Sequence, residues 1–323
     1  MTTNRFFVPG LDGLRFVSFL LIFIHHSEDT PMSFVNNMKE HGWIGVDIFF
    51  SLSAYLLTRL LRIELDQTGE IIFRKFFMRR VLRIWPLFFT YLTGIILITA
   101  FTQQVTSENG FRIVSLFTFT DNFFTAVYGF NPIQFTGHLW TIAYEEQFYL
   151  LLPFIMLFIY RMSAGKKVVF LASIVLTGFL IRFLFIFYGV KHPAIWVLPI
   201  THFESIITGM VLGLSDLRSL EKKRIPILII TVLAGCLILF LPGTGVISYH
   251  LMILYPCIGI FSGGVVALSI TAKDTFIKGI FTSPLLSYLG KISFGLYVFH
   301  GVCLVATGYV LRHFSIDHSL LTT

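Results

Sequence analysis

The chain has 323 residues, of which 55% are hydrophobic and 13% are charged, and its formal net charge is +7. This composition excludes an ordinary soluble globular protein and is typical of a membrane protein with several spans. The positive charge does not indicate a nucleic-acid partner, because most of the 24 Lys and Arg residues lie in alternate short loops. We therefore expect one membrane domain over residues 1–323, with the N-terminus in the cytoplasm.

Apolar windows of about 20 residues predict an all-α helix bundle with nine transmembrane helices. An odd number of spans that starts inside places the C-terminus outside. In the longest connection, 103–137, the stretch 111–119 is expected to dip into the membrane interface without crossing the membrane. The nine windows are 11–28, 42–62, 84–102, 138–160, 168–189, 196–214, 225–241, 249–270 and 284–311.

The first window contains Arg15 and ends close to His26. Eleven residues at about 100° each make three turns plus about 20°, so the two side chains share one helix face about 16 Å apart. An ionisable group costs roughly 2.5 to 3.5 kcal/mol at the bilayer centre, and such groups usually mark a functional site. We expect the active site to begin with this pair.

The second and third helices carry further charged candidates. Asp47 is expected to pair with a buried Arg or His, or to contact a substrate. Three guanidinium groups follow where the third helix starts, on Arg79, Arg80 and Arg83. Guanidinium groups bind phosphates through paired hydrogen bonds, so these residues are candidate ligands for a phosphorylated cytosolic molecule. An ordinary positive-inside anchor is the alternative interpretation.

The fourth helix opens with His138 and carries two adjacent carboxylates, Glu145 and Glu146. Seven residues separate His138 from Glu145, which places both on nearly the same helix face, whereas Glu146 points about 100° away. We expect His138 and Glu145 to face the same cavity. A structural hydrogen bond between helices explains the carboxylates equally well when they are taken alone.

On the last helix, Tyr297 and His300 are three residues apart and therefore neighbours. His300 is either a second site residue or a buried structural histidine. Arg182, inside the fifth apolar window, is expected to pair with another helix or to extend towards the interface. No spacing such as HExxH indicates a metal site. Three cysteines are expected to be small core residues rather than disulfide partners: Cys236, Cys257 and Cys303.

Five segments resemble, in order and spacing, signatures of the acyltransferase 3 family, bacterial multi-spanning enzymes that O-acylate carbohydrates. In the first segment, Arg15 and His26 match the family's pattern of an Arg and a His separated by ten residues. The resemblance implies ten transmembrane helices in the bacterial cytoplasmic (inner) membrane. The five segments, spread over residues 11–300, are LDGLRFVSFLLIFIHH, GWIGVDIFFSLSAYLL, RRVLRIWP, HLWTIAYEEQFYLLLP and LGKISFGLYVFH.

The resemblance also implies a reaction, the transfer of an acyl group, usually acetyl, from cytosolic acyl-CoA to a hydroxyl of a surface or lipid-linked carbohydrate. Acyl-CoA is then a co-substrate, and no permanently bound cofactor is expected. His26 is the implied general base, with Arg15 and Glu145 as further catalytic residues, and a covalent acyl-histidine relay is the open variant. The CoA phosphates are assigned to Arg79, Arg80 and Arg83. Substrate contacts are assigned to His138, Trp140, Tyr149, Tyr297, His300 and Asp47.

The sequence departs from the family pattern at three places. Ala54 stands where the family usually has Gly, and His202 and Glu204 stand where Arg and Asp are common. Nine predicted helices instead of ten lead us to expect a truncated or shortened member of the family.

Two other functions are compatible with the sequence. A transporter or exporter of acylated metabolites or glycan precursors would use the same buried charges as a polar pathway. A non-catalytic remnant would only pack in the membrane or support a partner. The sequence carries no signal for an oligomeric state.

Overall fold

The computed structural model describes residues 10–29, 32–102, 107–272 and 275–313, and within these ranges all regular secondary structure is helical. Arg5, Lys273 and the tail from residue 314 entered the charge and topology predictions and lie outside the described residues. The helices of the described ranges are α1 (Leu11–His26), α2 (Ser33–His41), α3 (Ile44–Thr68), α4 (Phe73–Thr102), α5 (Ser107–Phe117), α6 (Asp121–Tyr128), α7 (Trp140–Tyr160), α8 (Ala164–Phe187), α9 (Ala194–Val197), α10 (Glu204–Leu214), α11 (Leu217–Lys222), α12 (Arg224–Phe240), α13 (Leu251–Ile270), α14 (Thr275–Phe281), α15 (Pro284–Lys291) and α16 (Ser293–His313).

Each of the nine predicted windows contains a helix. In the described part of the chain, six helices are long and apolar enough to span a membrane, namely α3, α4, α7, α8, α13 and α16. The helices in the other three windows, α1, α10 and α12, have 16, 11 and 17 residues. The fold is therefore that of a multi-pass membrane helix bundle, and the total of nine spans stays a prediction.

The predicted window 196–214 is not one helix. The chain is extended at Leu198, after α9, and α10 begins only at Glu204. Pro199 explains the break, because proline lacks an amide hydrogen and disfavours helical backbone at the residue before it. As a result, His202 lies on an irregular segment inside the bundle, where it contacts side chains that a regular helix would not bring to it.

The predicted window 284–311 is also divided, into α15 and α16. α15 packs against α1 at Gly290, where an added Cβ would lie 1.8 Å from the Asp12 carbonyl oxygen. This close approach of two backbones holds α15 on α1. After the turn at Ile292, α16 continues between α1 and α4.

α3 is the central helix, packed on α1, α7, α10 and α13. Its contact with α10 depends on Gly209 and Gly213, whose spacing is that of a GxxxG helix-packing motif. A Cβ at Gly209 would lie 2.2 Å from the Ser51 carbonyl oxygen. Ala54, which differs from the family's usual Gly, is fully buried against Gly209. The two helices therefore touch backbone to backbone.

The outward faces of α4, α8 and α12 carry large apolar side chains, for example Phe101, Leu176 and Phe240. In α8, only 17% of the most apolar window is buried inside the protein. Apolar surface of this extent fits a lipid environment and not water.

We expect Gly209→Ala to lower the unfolding temperature in detergent, because the added Cβ overlaps the α3 backbone and overpacking of this kind costs about 1–3 kcal/mol. Gly94→Ala in α4 is the matched control. A Cβ at Gly94 has no heavy atom within 4 Å, and Ala is favoured over Gly in helices by roughly 1 kcal/mol. Equal unfolding temperatures for the two variants would contradict the backbone contact.

Candidate active site

Three histidines from three parts of the chain meet at the C-terminal end of α1. His26 ends α1, His138 precedes α7 and His300 lies on α16. The centroid of the His300 ring lies 5.0 Å from that of the His26 ring and 4.7 Å from that of the His138 ring. They line a space of about 1610 Å³ up to its open mouth, which we call the histidine cavity. Other residues of its wall are His25, Glu40, Trp43, Phe130, Phe135, Trp140, His192 and Trp196.

Backbone carbonyls fix where the protons of two of these rings lie. His26 Nδ1 is 3.0 Å from the Ile22 carbonyl oxygen, and His300 Nδ1 is 2.5 Å from the Tyr297 carbonyl oxygen. A carbonyl oxygen only accepts hydrogen bonds, so each Nδ1 donates, and in a neutral ring Nε2 carries the lone pair. His26 Nδ1 also lies 3.3 Å from His300 Nε2 and donates to it. This leaves Nε2 of His26 as a basic nitrogen without a proton.

Aromatic rings form much of the wall of the histidine cavity. The Trp196 ring lies edge-on to Trp43 at 5.5 Å and edge-on to Trp140 at 5.8 Å between centroids. His192, on the loop before α9, contributes to the same wall. Burial lowers the pKa of the His192 imidazole, so this ring adds no positive charge to the cavity at neutral pH.

A second space of about 1100 Å³, the arginine cavity, is lined by Arg15 from α1, Arg80 and Arg83 from α4, and Glu145 and Tyr149 from α7. Glu145 shares this wall with Ser53 and Tyr149. It is the single acidic residue among the described residues of this wall. Arg15 also forms an ion pair with Asp12, so the positive charge of the cavity comes mainly from Arg80 and Arg83. Such a cavity attracts anions, and phosphates in particular.

The two cavities share one wall, which we call the partition: Ile22, Val46, Thr141 and Tyr297 line both spaces. Its polar part is a pair of hydroxyls, with Thr141 Oγ1 2.6 Å from Tyr297 Oη. Both hydroxyls also lie 3.0 Å from the His138 carbonyl oxygen. The partition is thus thin, and it is part apolar and part hydrogen-bonding.

The structure separates residues that the sequence analysis placed together. The expectation that His138 and Glu145 face one cavity is wrong, because His138 lines the histidine cavity and Glu145 the arginine cavity. Two residues on one helix face can still differ in depth, and seven residues correspond to about 10 Å along the axis. For the same reason Arg15 and His26, and likewise Trp140 and Tyr149, lie in different cavities.

Arg79 was grouped with Arg80 and Arg83 in the predicted phosphate clamp, but it does not line the arginine cavity. Its guanidinium lies 4.0 Å from the Glu64 carboxylate. One residue along a helix rotates a side chain by about 100°, which turns Arg79 away from the face shared by the other two. Arg15 completes the group of three guanidiniums in its place.

Asp47 lines neither cavity and is fully buried. Its Oδ1 lies 2.8 Å from His202 Nε2 and 2.5 Å from Ser205 Oγ. His202 Nδ1 donates to the Trp196 carbonyl oxygen at 2.8 Å. The expected pairing of Asp47 with a buried histidine is confirmed, and the pair holds the segment that carries Trp196, a wall of the histidine cavity. A direct substrate contact by Asp47 is not compatible with this position.

Arg182 is fully buried and ion-paired with Glu204, so the expected pairing with another helix is confirmed. Its guanidinium also lies 4.3 Å from the centroid of the Tyr255 ring. Only Cys257 of the three cysteines is buried, whereas Cys236 and Cys303 are exposed, because apolar residues of a membrane bundle also face outward.

Sequence reasoning missed Thr141, Trp196 and His192 as wall residues. Thr141 lies four residues before Glu145 on the same face of α7, a spacing that was available as a signal. Trp196 and His192 come from the segment around α9, and no periodicity marks their place. Among the residues that the structure describes, no group of three or more His, Cys, Asp or Glu side chains has the arrangement of a metal site.

Comparison with known proteins agrees with this architecture. A family model for an acyltransferase domain, that of the acyltransferase 3 family, matches residues 8–323. The chain belongs to this family.

Curated relatives are named as O-acetyltransferases. A provisionally named O-acetyltransferase of Staphylococcus aureus strain COL is 28% identical over 325 residues, covering 91% of this chain and 50% of the relative. O-acetyltransferase OatA of S. aureus strain NCTC 8325 is 28% identical over 321 residues, with the same coverage of 91% and 50%. The chain thus spans about half the length of the curated relatives it matches. No solved structure matches it.

Replacing Asp47 tests whether its buried pair with His202 holds the bundle together. We expect Asp47→Ala to lower the unfolding temperature strongly, because breaking a buried pair by removing one partner costs about 3–5 kcal/mol. Asp29→Ala is the control, since Asp29 is 81% exposed in its ion pair with Lys39 and exposed pairs contribute roughly 0–1 kcal/mol. Similar unfolding temperatures for both variants, measured in detergent, would refute a structural role of Asp47.

Proposed function

We propose that this protein is a membrane O-acyltransferase, most simply an O-acetyltransferase, that moves an acyl group from cytosolic acyl-CoA to a hydroxyl of a surface or lipid-linked carbohydrate. One observation carries the proposal. A positively charged cavity and a cavity with a basic imidazole nitrogen lie on opposite sides of one thin partition. Membership of the acyltransferase 3 family and the names of the relatives support the same reaction.

In this proposal, acyl-CoA enters the arginine cavity from the cytoplasm. Arg80, Arg83 and Arg15 bind its phosphates, because planar guanidinium groups form paired hydrogen bonds with phosphate oxygens. The orientation follows the positive-inside rule, since the cytoplasmic face predicted from charge is the one on which α4 begins. The protein then lies in the inner membrane with its N-terminus inside and its histidine cavity open to the outside.

The acceptor carbohydrate binds in the histidine cavity, where Trp140 and Trp196 offer flat faces for a sugar ring. Tyr149 takes no part in this contact, because it lies in the arginine cavity. His300 lies between His26 and His138, and His138 holds the polar edge of the acceptor, because both ring nitrogens of His300 already have partners within the protein. The thioester carbonyl of the donor reaches the partition, where one of the two hydroxyls, that of Thr141 or of Tyr297, turns from the His138 carbonyl oxygen and donates to the thioester oxygen.

In the transfer step, the acceptor oxygen attacks the thioester carbonyl carbon while His26 Nε2 takes the hydroxyl proton. The C–S bond then breaks, CoA leaves as the thiolate, and the proton held by His26 is released as the thiolate becomes the thiol. His300 assists because its Nε2 accepts the Nδ1–H of His26 at 3.3 Å and stabilises the imidazolium that forms. The products are an ester on the carbohydrate and free CoA.

The role of His26 is tested with His26→Ala. We expect glycan acylation to fall by about 100-fold or more, which is the usual contribution of a general base, while acyl-CoA binding remains. His41→Ala is the control, because His41 lies on α2 and lines neither cavity. Acylation is measured by mass spectrometry of cell-surface glycans. Full acylation by His26→Ala would refute the mechanism.

The donor site is tested with Arg80→Ala and Arg83→Ala. We expect the KM for acyl-CoA to rise by about tenfold or more, because a hydrogen bond to a charged group contributes roughly 1.5–3 kcal/mol. Arg74→Ala, an exposed arginine in the first turn of the same helix, should leave KM unchanged. An equal effect at all three positions would indicate a general surface charge instead of a binding site.

A further inference from the structure

The connection between α4 and α7 contains a helical hairpin formed by α5 and α6. A hairpin in water exposes charged side chains and buries apolar ones, whereas this hairpin buries an ion pair and exposes apolar side chains. Arg112 and Asp121, one on each helix, are 2% and 0% exposed and lie 3.1 Å apart. Arg112 also donates to Thr125 and to the Gly129 carbonyl oxygen. The hairpin thus buries this ion pair. Apart from Thr118 at the turn, the exposed side chains of residues 111–128 are large and apolar: Phe111, Val114, Phe117, Phe123, Val127 and Tyr128.

The tip of the hairpin lies deep along two spanning helices. On α4, the Phe119 ring lies 5.8 Å from Trp85 and 5.0 Å from Phe88 between centroids. Trp85 is sixteen residues before Phe101, where the apolar span of α4 ends, a distance of about 24 Å along the axis. α4 runs from the arginine cavity towards the histidine cavity. The tip therefore lies far along α4 from the C-terminal end of this helix, which is the end on the side of the histidine cavity.

The contact of the hairpin tip with α7 independently indicates the same depth for the tip. Gln147 Nε2 donates to the Phe119 carbonyl oxygen at 2.8 Å and to Asn122 Oδ1 at 2.8 Å. Gln147 is seven residues, about 10 Å, from the start of α7 at Trp140, and only two residues past Glu145 of the arginine cavity. The tip therefore lies below the partition.

Several backbone groups of the non-helical tip have hydrogen-bond partners within the protein. Gln147 bonds the Phe119 carbonyl, and the Thr120 amide donates to the Ser115 carbonyl oxygen at 2.9 Å. The Thr118 hydroxyl donates to the Val114 carbonyl oxygen at 2.9 Å. Irregular backbone at membrane depth is tolerated only where the protein supplies such partners. A turn exposed to water would need none of them.

We propose that α5 and α6 form a re-entrant hairpin, which enters the membrane on the side of the histidine cavity, turns at residues 118–120 and leaves on the same side. The hydrocarbon chains of that leaflet cover its exposed face. We infer lipid as the covering partner because the exposed face of the hairpin continues the outward apolar face of α4. Phe117 stacks on Phe89 of α4 at 5.7 Å, next to that face. A buried ion pair beneath an apolar surface fits lipid and not water.

The proposal is tested by spin labels on single cysteines at Phe111, Phe117 and Tyr128, with the native cysteines replaced, in phosphatidylethanolamine and phosphatidylglycerol vesicles. Collision with oxygen should exceed collision with a water-soluble nickel chelate at all three sites. Phe117→Cys should be the deepest, by up to about 9 Å relative to Phe111→Cys, which is six residues along α5. Asn37→Cys, exposed on α2, is the water-facing control.

Three results would overturn the proposal. Equal depths at the three sites would indicate helices lying flat on the membrane, access to the nickel chelate would indicate water, and access to neither reagent would indicate a covering protein. If the cysteine-free protein does not fold, a membrane-impermeant thiol reagent is applied with the native cysteines retained. Phe117→Cys should then add no labelling while Asn37→Cys reacts, and equal reaction rates would overturn the proposal. Neither measurement depends on acyl transfer.

Discussion

An ionisable group inside an apolar bundle must either be paired or face a polar space, and this constraint organises the whole structure. Asp47 and Arg182 satisfy it by pairing, with His202 and Glu204. Arg80 and Arg83 satisfy it by facing a cavity, whereas Arg15 lines the same cavity and is also paired with Asp12. The paired groups hold the helices in place, and the groups that face a cavity are left free for chemistry.

The pairs also determine where the cavities lie. The bond between His202 and Asp47 ties the irregular segment before α10 to α3, and Trp196 stacks on His202 with ring centroids 4.4 Å apart. On the other side, the Tyr144 hydroxyl donates to the His202 carbonyl oxygen, and its ring stacks on Phe50 of the arginine cavity. One buried polar cluster therefore supports a wall of each cavity.

Separating donor and acceptor by a thin partition solves a physical problem for a group-transfer reaction across a membrane. A charged nucleotide and a carbohydrate are both too polar to cross an apolar bundle. With two cavities, only the acyl carbonyl has to reach the partition, where the hydroxyl pair of Thr141 and Tyr297 lies. The re-entrant hairpin closes the bundle beside α4 and α7, so that the tip next to Gln147 keeps lipid away from this region.

Much of this protein could be read from its sequence, because hydropathy and helical phase are local properties. Apolar windows located a helix in every predicted place, and the spacing of Arg15 and His26 showed that ionisable groups line one face of α1. The depth of a side chain along its helix and the breaks within predicted helices were harder to predict. Helical phase predicts that His138 and Glu145 share one helix face, but it does not say that His138 precedes α7 or that a partition at Thr141 separates the two residues. The tertiary structure alone decided which residues share a cavity, because that depends on how other helices cross α1 and α7. It also decided that α5 and α6 bury Arg112 and turn their apolar faces outward, since a partner for a charge is provided by the folded chain and not by its neighbours in sequence.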